Sequence, residues 1–373
     1  MDILVSFAIV ICCCLGGVFL GKAGIDALLG ADKNKYNRLK VYAIVVFLLI
    51  IVAAVAAAEI RIALIISAVL FLFGIPCGFM GWISIGSTLG LKVKWDKTVG
   101  SEIKDLVFDE TREETGYDLY LPAQKDEGRA YSLILFIHGG GFTGGARKDG
   151  AVWCKYFASK GYVSATMDYT LADGKHESNL NLMCDQITAC VTAIQKKCEE
   201  LGYPVTEMAT TGGSAGGCLA ALYAYKVAEA SPIPVKFVFQ QTGPMYFDPV
   251  YWNNLNNRTA QAEFVKMLTG KEVTEEMVQR NEHYAIVNEV SPIAYITPTS
   301  VPMLCAYGPN DKIVPVSLKY LLFDALERNN VTYDFVDYPH SNHGLYDDPK
   351  SQREFLAKVD DYCARFFANN QKS

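Results

Sequence analysis

No Cys-x-x-Cys pair occurs in the 373-residue chain, and its 11 cysteines follow no regular spacing. A cysteine-built zinc site therefore has no support. An odd, scattered set of thiols also points to a reducing compartment rather than a disulfide framework. There is no basic tail, and the net charge is −6, so nucleic acid is not an expected partner. No internal repeat or low-complexity tract occurs, which argues against solenoids and linker-like disorder. His176 and His283 stand without the carboxylate or cysteine neighbours of a metal cluster. No metal and no organic cofactor is expected.

Charge is scarce at the front. Through Leu91 there are six Lys/Arg and four Asp/Glu, against 28 and 36 in the remainder. Ile3–Leu20 and Val41–Ala58 are charge-free runs of 18 residues, and Ile62–Leu91 is one of 30. A helix needs roughly 20 apolar residues to cross about 30 Å of hydrocarbon. Residues 1–91 are thus expected to be a membrane anchor of about three transmembrane helices, at about 3–20, 41–58 and 62–84. Only Asp2 precedes the first run, so the basic start of a cleaved signal peptide is missing. Lys22, Lys33, Lys35, Arg38 and Lys40 separate the first two runs, and Lys92, Lys94, Lys97 and Lys104 follow the third. Basic loops stay in the cytoplasm. The expectation is a multi-pass integral membrane protein with the bilayer as partner and residues 92–373 on the cytoplasmic side.

The remainder alternates short β-rich stretches with helical spacing. Strands are expected at Ile103–Phe108, Tyr117–Leu121, Leu133–Ile137, Tyr162–Met167, Met208–Thr211, Val235–Phe239, Met303–Tyr307 and Thr332–Val336. Helices are expected at Asn179–Leu201, Ala215–Ala230, Ser317–Asn329 and Gln352–Ala368. Such alternation implies an α/β fold with a mostly parallel central sheet flanked by helices. The polar, aromatic-rich stretch at about 245–296 interrupts it and reads as a helical cap inserted between two core strands.

Gly212-Gly213-Ser214-Ala215-Gly216 lies between an expected strand and an expected helix. In that context Gly-x-Ser-x-Gly is a nucleophile elbow, with the serine in a strained turn and the next amide beside it. His138-Gly139-Gly140-Gly141-Phe142 follows the first buried strand, and glycine amides approach a reacting carbonyl without Cβ interference. Gly139, Gly141 and Gly144 also fit a dinucleotide fingerprint, with Asp168 ending the next strand. A dinucleotide site has no use for an elbow serine, which favours acyl chemistry. A serine nucleophile needs a base and an orienting acid, here in the order Ser, Asp, His. Asp311 follows one late strand and His343 the next. Asp334 and Asp337 are rival acids, and His340 is the rival base. His138 reads as an inward-turned support of the glycine loop.

From about residue 105 onward the chain resembles the α/β-hydrolases. It is most similar to the esterase/lipase group that includes the hormone-sensitive-lipase-like carboxylesterases. His138-Gly-Gly-Gly141, Gly-Gly-Ser214-Ala-Gly-Gly217 and Asp168-Tyr169-Thr170-Leu171-Ala172 carry the resemblance. It departs at Gly213, where the group usually has Asp, at Thr170 for Arg, and at Asp173 for Pro. The Gly308-Pro-Asn-Asp-Lys-Ile-Val-Pro315 segment looks more like acetyl-esterase, feruloyl-esterase or prolyl-oligopeptidase-type relatives. The resemblance implies Ser214, Asp311 and His343 as catalytic residues and Gly140, Gly141 and Ala215 as oxyanion donors. The expected function is membrane-anchored hydrolysis of a small-molecule carboxylic ester with a short acyl chain. Tyr246 and Trp252 of the cap are candidate substrate contacts. A serine peptidase and a catalytically inactive membrane scaffold are the alternatives.

Overall fold

A computed structural model describes residues 91–368, apart from 92, 113, 127, 253, 254 and 256. The larger of two compact units comprises Gly90–Tyr307, Ile313–Asp337 and Lys350–Ser373. The described part of the second comprises Gly308–Lys312 and Tyr338–Pro349.

The larger unit holds one eight-stranded sheet. Its strands are β1 (Gly100–Val107), β2 (Gly116–Pro122), β3 (Tyr131–Ile137), β4 (Val163–Met167), β5 (Val205–Gly213), β6 (Val235–Gln241), β7 (Met303–Tyr307) and β8 (Tyr333–Asp337). Their spatial order is β1-β2-β4-β3-β5-β6-β7-β8. β1 and β2 pair antiparallel, β2 meets β4 antiparallel, and every pair from β4 to β8 is parallel. The chain leaves β3 toward β4 on one side and returns to β5 on the other. The order therefore reverses at β3, and the carboxyl ends of β3 and β5 flank the crevice where open α/β sheets bind ligands.

Eight α-helices complete the described residues: α1 (Ala151–Ser159), α2 (Leu180–Leu201), α3 (Ala215–Leu222), α4 (Arg258–Thr269), α5 (Glu275–Gln279), α6 (His283–Asn288), α7 (Leu318–Arg328) and α8 (Pro349–Phe366). Strand side chains alternate between the two faces, and the sheet uses both. Phe136 of β3 stacks on Trp153 of α1 at 6.1 Å between ring centroids. On that face Phe239 of β6 meets Phe157 of α1 at 5.7 Å and Phe355 of α8 at 6.4 Å. Leu133, Leu135, Ile137 and Val238 join the core formed with α2, α3 and α7. That is why β3 is a continuous apolar run, buried along its whole length.

Local signals account for many element ends. Asn179 caps α2 by accepting from the Leu182 amide at 3.0 Å, and Gly202 ends it in the left-handed conformation. Two elements differ from expectation. α1 was not anticipated as a named helix, and the helix expected to run to Ala230 stops at Leu222. A π-helical turn, Tyr223–Val227, and a 3-10 turn, Ala228–Ala230, continue it. Within the wider turn, Lys226 bonds Asn181 at 2.6 Å and the Glu289 carbonyl at 2.7 Å.

The expected multi-pass membrane localisation is corrected. Among the described residues, no helix is long and apolar enough to cross a membrane. The 22-residue α2 has the length but carries Asp185, Lys196, Lys197, Glu199 and Glu200. Charges across its outer face suit a helix lying on a sheet, not one in hydrocarbon. The three expected spans lie outside the described residues. No disulfide forms among the described residues, and all seven described cysteines are buried.

Glycine allows the close contact between α3 and the end of β3. A Cβ at Gly216 would run into the carbonyl oxygens of Ile137 and His138. Gly216→Ala is expected to lower stability by about 1–3 kcal/mol or more, measured as a reduced urea midpoint. At Gly213 an added Cβ meets nothing nearer than 3.8 Å, so Gly213→Ala should stay within about 0.5 kcal/mol of wild type.

Candidate active site

Ser214 follows β5 and caps α3 with φ 55° and ψ −127°. This left-handed backbone is costly for a residue with a Cβ. It is held from both sides. The Ser214 amide donates to the Gln241 carbonyl of β6 at 2.8 Å, and its carbonyl accepts from Cys218 of α3 at 3.1 Å. Ser214 keeps partial exposure while Ala215, next in the chain, is buried. The elbow geometry expected from the five-residue motif is therefore present.

The glycine loop lies against this elbow. A Cβ at Gly139 would come within 2.7 Å of the Gly213 carbonyl and 3.4 Å of the Ser214 Cβ. Gly140 has φ 116°, a region that side chains rarely enter. Its carbonyl accepts from Thr143 at 3.2 Å and from Gly144 at 3.0 Å, which closes the turn. Among the described residues, nothing accepts from the Gly140 or Gly141 backbone N–H.

His138 supports the loop from beneath. It is 1% exposed, and its ring stacks on Tyr169 at 4.1 Å and 9°. Tyr169 in turn donates to the His138 carbonyl at 3.0 Å. Burial pushes the His138 imidazole below the ordinary histidine value, although the neighbouring Gly139 carbonyl opposes it. A neutral, stacked ring fits the inward support expected from sequence. The rival dinucleotide pattern fails on two counts. The glycine turn leads into a 3-10 turn, Arg147–Gly150, rather than directly into an α-helix. Asp168 is engaged by Arg147, through both the guanidinium and the backbone N–H.

That arginine was not found by sequence reasoning. Arg147 contacts three carboxylates: Asp118 at 2.9 Å, and Asp105 and Asp168 more closely. They come from the irregular point of β1, from β2 and from the end of β4. No sequence pattern links them.

The insertion between β6 and β7 holds α4, α5 and α6. It closes on itself where Ile293 donates to the Met245 carbonyl at 3.2 Å. Phe142, which follows Gly141, packs edge-on against Phe247 at 5.9 Å. Trp252 stacks on Phe247 at 6.0 Å and meets Phe264 of α4 at 5.1 Å. Of the two expected substrate contacts, Trp252 thus belongs to a ring cluster that reaches the glycine loop. Tyr246 pairs with Tyr251 at 5.9 Å. His283, which has no carboxylate neighbour in the metal-cluster sense along the sequence, is buried with its Nε2 3.6 Å from Asp248.

In the second unit, His343 Nδ1 lies 2.7 Å from Asp311 Oδ2, with the carboxylate almost fully buried. The structure therefore brings Asp311 to His343, not to His340. His340 pairs instead with Asp348 at 2.7 Å. The rival acid Asp334 bonds Lys358 at 2.7 Å, and Asp337, the last residue of β8, is exposed.

A mostly parallel sheet with an elbow serine at the carboxyl end of its central strand defines an α/β-hydrolase. The chain belongs to the BD-FAE family, which it matches over residues 117–326, more than half its length. Among solved structures it is similar to a truncated carbohydrate esterase from gut microbiota, at 17% identity and TM-score 0.58, covering 73% of this chain and 98% of that one. It is also similar to inhibited esterase B from Lactobacillus rhamnosis, at 19% identity and TM-score 0.58, covering 79% and 96%. A thermophilic esterase of Thermogutta terrifontis, Est2, gives 20% identity and TM-score 0.57, covering 74% and 96%. These likenesses speak for the fold. No curated protein matches the chain. By family and fold, the chain is a member of the BD-FAE family with the α/β-hydrolase architecture.

The buried His138 makes a pH prediction. Its proton affinity is lower in the folded protein than in the unfolded chain, so the unfolded chain binds more protons on acidification. The stability it contributes is full above about pH 6.5, the ordinary histidine value, and is lost as pH falls below it. Relative to His138→Gln, wild type should lose stability more steeply between pH 7 and about pH 5, measured by urea denaturation across that range.

Proposed function

We propose that the chain hydrolyses small-molecule carboxylic esters through a Ser214 acyl-enzyme. The observation that carries this reading is the left-handed Ser214 turn at the sheet's switch point in a chain of the BD-FAE family. In this mechanism Ser214 Oγ attacks the ester carbonyl carbon while its proton passes to His343 Nε2. Asp311 accepts from His343 Nδ1–H, which fixes the tautomer and stabilises the imidazolium. The backbone N–H groups of Gly140, Gly141 and Ala215 stabilise the tetrahedral oxyanion. Collapse breaks the ester C–O bond, and the leaving alkoxide takes the proton from His343. Water then attacks the acyl-enzyme with His343 as base, and the acid leaves as Ser214 recovers its proton.

The insertion acts as a cap, with Tyr246 and Trp252 limiting the acyl group to a short chain. Two relatives support this preference. Esterase B is described with a tributyrin phosphonate inhibitor, and Est2 with bound propionate.

Labelling by a fluorophosphonate, with hydrolysis of acetyl, butyryl and octanoyl esters, tests the reading. Wild type should label, and Ser214→Ala should neither label nor retain turnover, with kcat reduced by roughly 10⁴–10⁶. His343→Ala should give a comparable loss. Undiminished turnover in either variant would overturn the assignment. Faster turnover of the octanoyl ester would remove the short-chain preference, and cleavage of an aminoacyl amide at a comparable rate would favour a peptidase.

A further inference from the structure

The segment Tyr338–Pro349 carries a second carboxylate that the hydrolytic mechanism does not use. Asp348 is 7% exposed, and three donors converge on it. Its Oδ2 accepts from Ser341 Oγ at 2.6 Å and from the His340 backbone N–H at 3.0 Å. Its Oδ1 lies 2.7 Å from His340 Nδ1. Ser341 is fully buried, and its Oγ also accepts from the Asp347 amide at 3.0 Å. Burial alone would raise the Asp348 carboxyl, but the Ser341 and His340 hydrogen bonds hold it below the usual carboxylate range.

The two residues fixed in this way are also where the Asp311 segment attaches. The Asn310 backbone N–H donates to the Ser341 carbonyl at 3.2 Å, and Asn310 Nδ2 donates to the His340 carbonyl at 3.2 Å. A Cβ at Gly308 would run into the same Ser341 carbonyl. One step further along the chain, Asn342 takes over. Its side chain accepts from Gly344 at 3.0 Å, and its carbonyl accepts from Leu345 at 3.1 Å, with Leu345 at φ 53°. The turn bearing His343 is thus pinned on both sides of that residue. Its upstream pin is also the seat of Asn310, the neighbour of Asp311.

We infer that Asp348 is a positioning residue of the hydrolase, whose carboxylate fixes residues 340–341 and through them the registry of Asp311 with His343. The inference rests on His343 being the base. The contribution is geometric and not one of charge. An amide at 348 would keep its oxygen toward Ser341 and the His340 N–H. It would turn its NH₂ toward His340 Nδ1 in the other tautomer.

The test uses the full chain, with kinetics normalised to folded protein. Asp348→Ala is expected to lower kcat by roughly 10–100-fold, the scale of a misplaced reacting group, with KM within twofold of wild type. Asp348→Asn should restore most of the loss, and Ser341→Ala should fall between. Fluorophosphonate labelling rates should follow kcat. Wild-type kcat in Asp348→Ala overturns the inference, and so does Asp348→Asn as damaged as Asp348→Ala. Should Asp348→Ala not fold, wild-type kcat in Ser341→Ala overturns it. His343→Ala separates the two levels. If it abolishes turnover while Asp348→Ala does not, only the positioning role falls. If it leaves turnover intact, the base assignment falls and takes this inference with it.

Discussion

The Ile137 carbonyl oxygen occupies the space that any side chain at Gly216 would need. That contact sets how closely the end of β3 approaches the first turn of α3, and the rest of the candidate site depends on it. Because α3 lies so near the sheet, the chain between β5 and α3 has no room for an ordinary turn. Ser214 takes up the reversal at φ 55°. The strain is local, and the framework imposing it is buried, with β3 and α3 covered along their lengths. Packed cores deform little, so the Ser214 backbone is held in this turn.

A charged constraint operates at the other side of the glycine loop. Arg147 lies three residues beyond Gly144 and gathers carboxylates from β1, β2 and the end of β4. Asp118 and Asp168 are largely withdrawn from water, and a carboxylate so placed is costly unless a cation answers it. The pairing ties the exit of the glycine loop to the antiparallel edge of the sheet. The Asp105 amide, itself at φ 57°, donates to Asp118 and completes the link to the β1 irregularity.

The insertion reaches the same loop through aromatic rings. Phe142, Phe247, Trp252 and Phe264 form a continuous series of contacts, while Phe142 keeps its backbone carbonyl for the Ala172 amide at 2.8 Å. An apolar contact of this kind makes no demand on the Gly140 and Gly141 amides, which no acceptor engages among the described residues. Three features therefore bear on one short loop: the elbow by close approach, Arg147 by charge, and the insertion by packing.

Much of this was legible along the chain. The apolar run at Leu133–Ile137 marked the doubly covered strand, and Gly-x-Ser-x-Gly marked the elbow. The alternating rhythm marked the parallel sheet, and Asn179 and Gly202 marked the ends of α2. Each of these signals acts within a few residues, where backbone geometry and side-chain periodicity are local properties. The apolar runs before residue 91 were equally local signals, and the membrane localisation drawn from them did not carry over to the described helices, whose length comes with charge. What the sequence left open depends on distance in space. Two histidines three residues apart were both candidates for the same acid. The fold gave His343 to Asp311 and His340 to Asp348 because it determines which turns lie side by side. Arg147 has no motif at all, since its three partners lie 21 to 42 positions away and meet only when the sheet forms. Periodicity and turn chemistry are written in neighbouring residues, whereas the pairing of buried charges is decided only when tertiary packing removes water from around them.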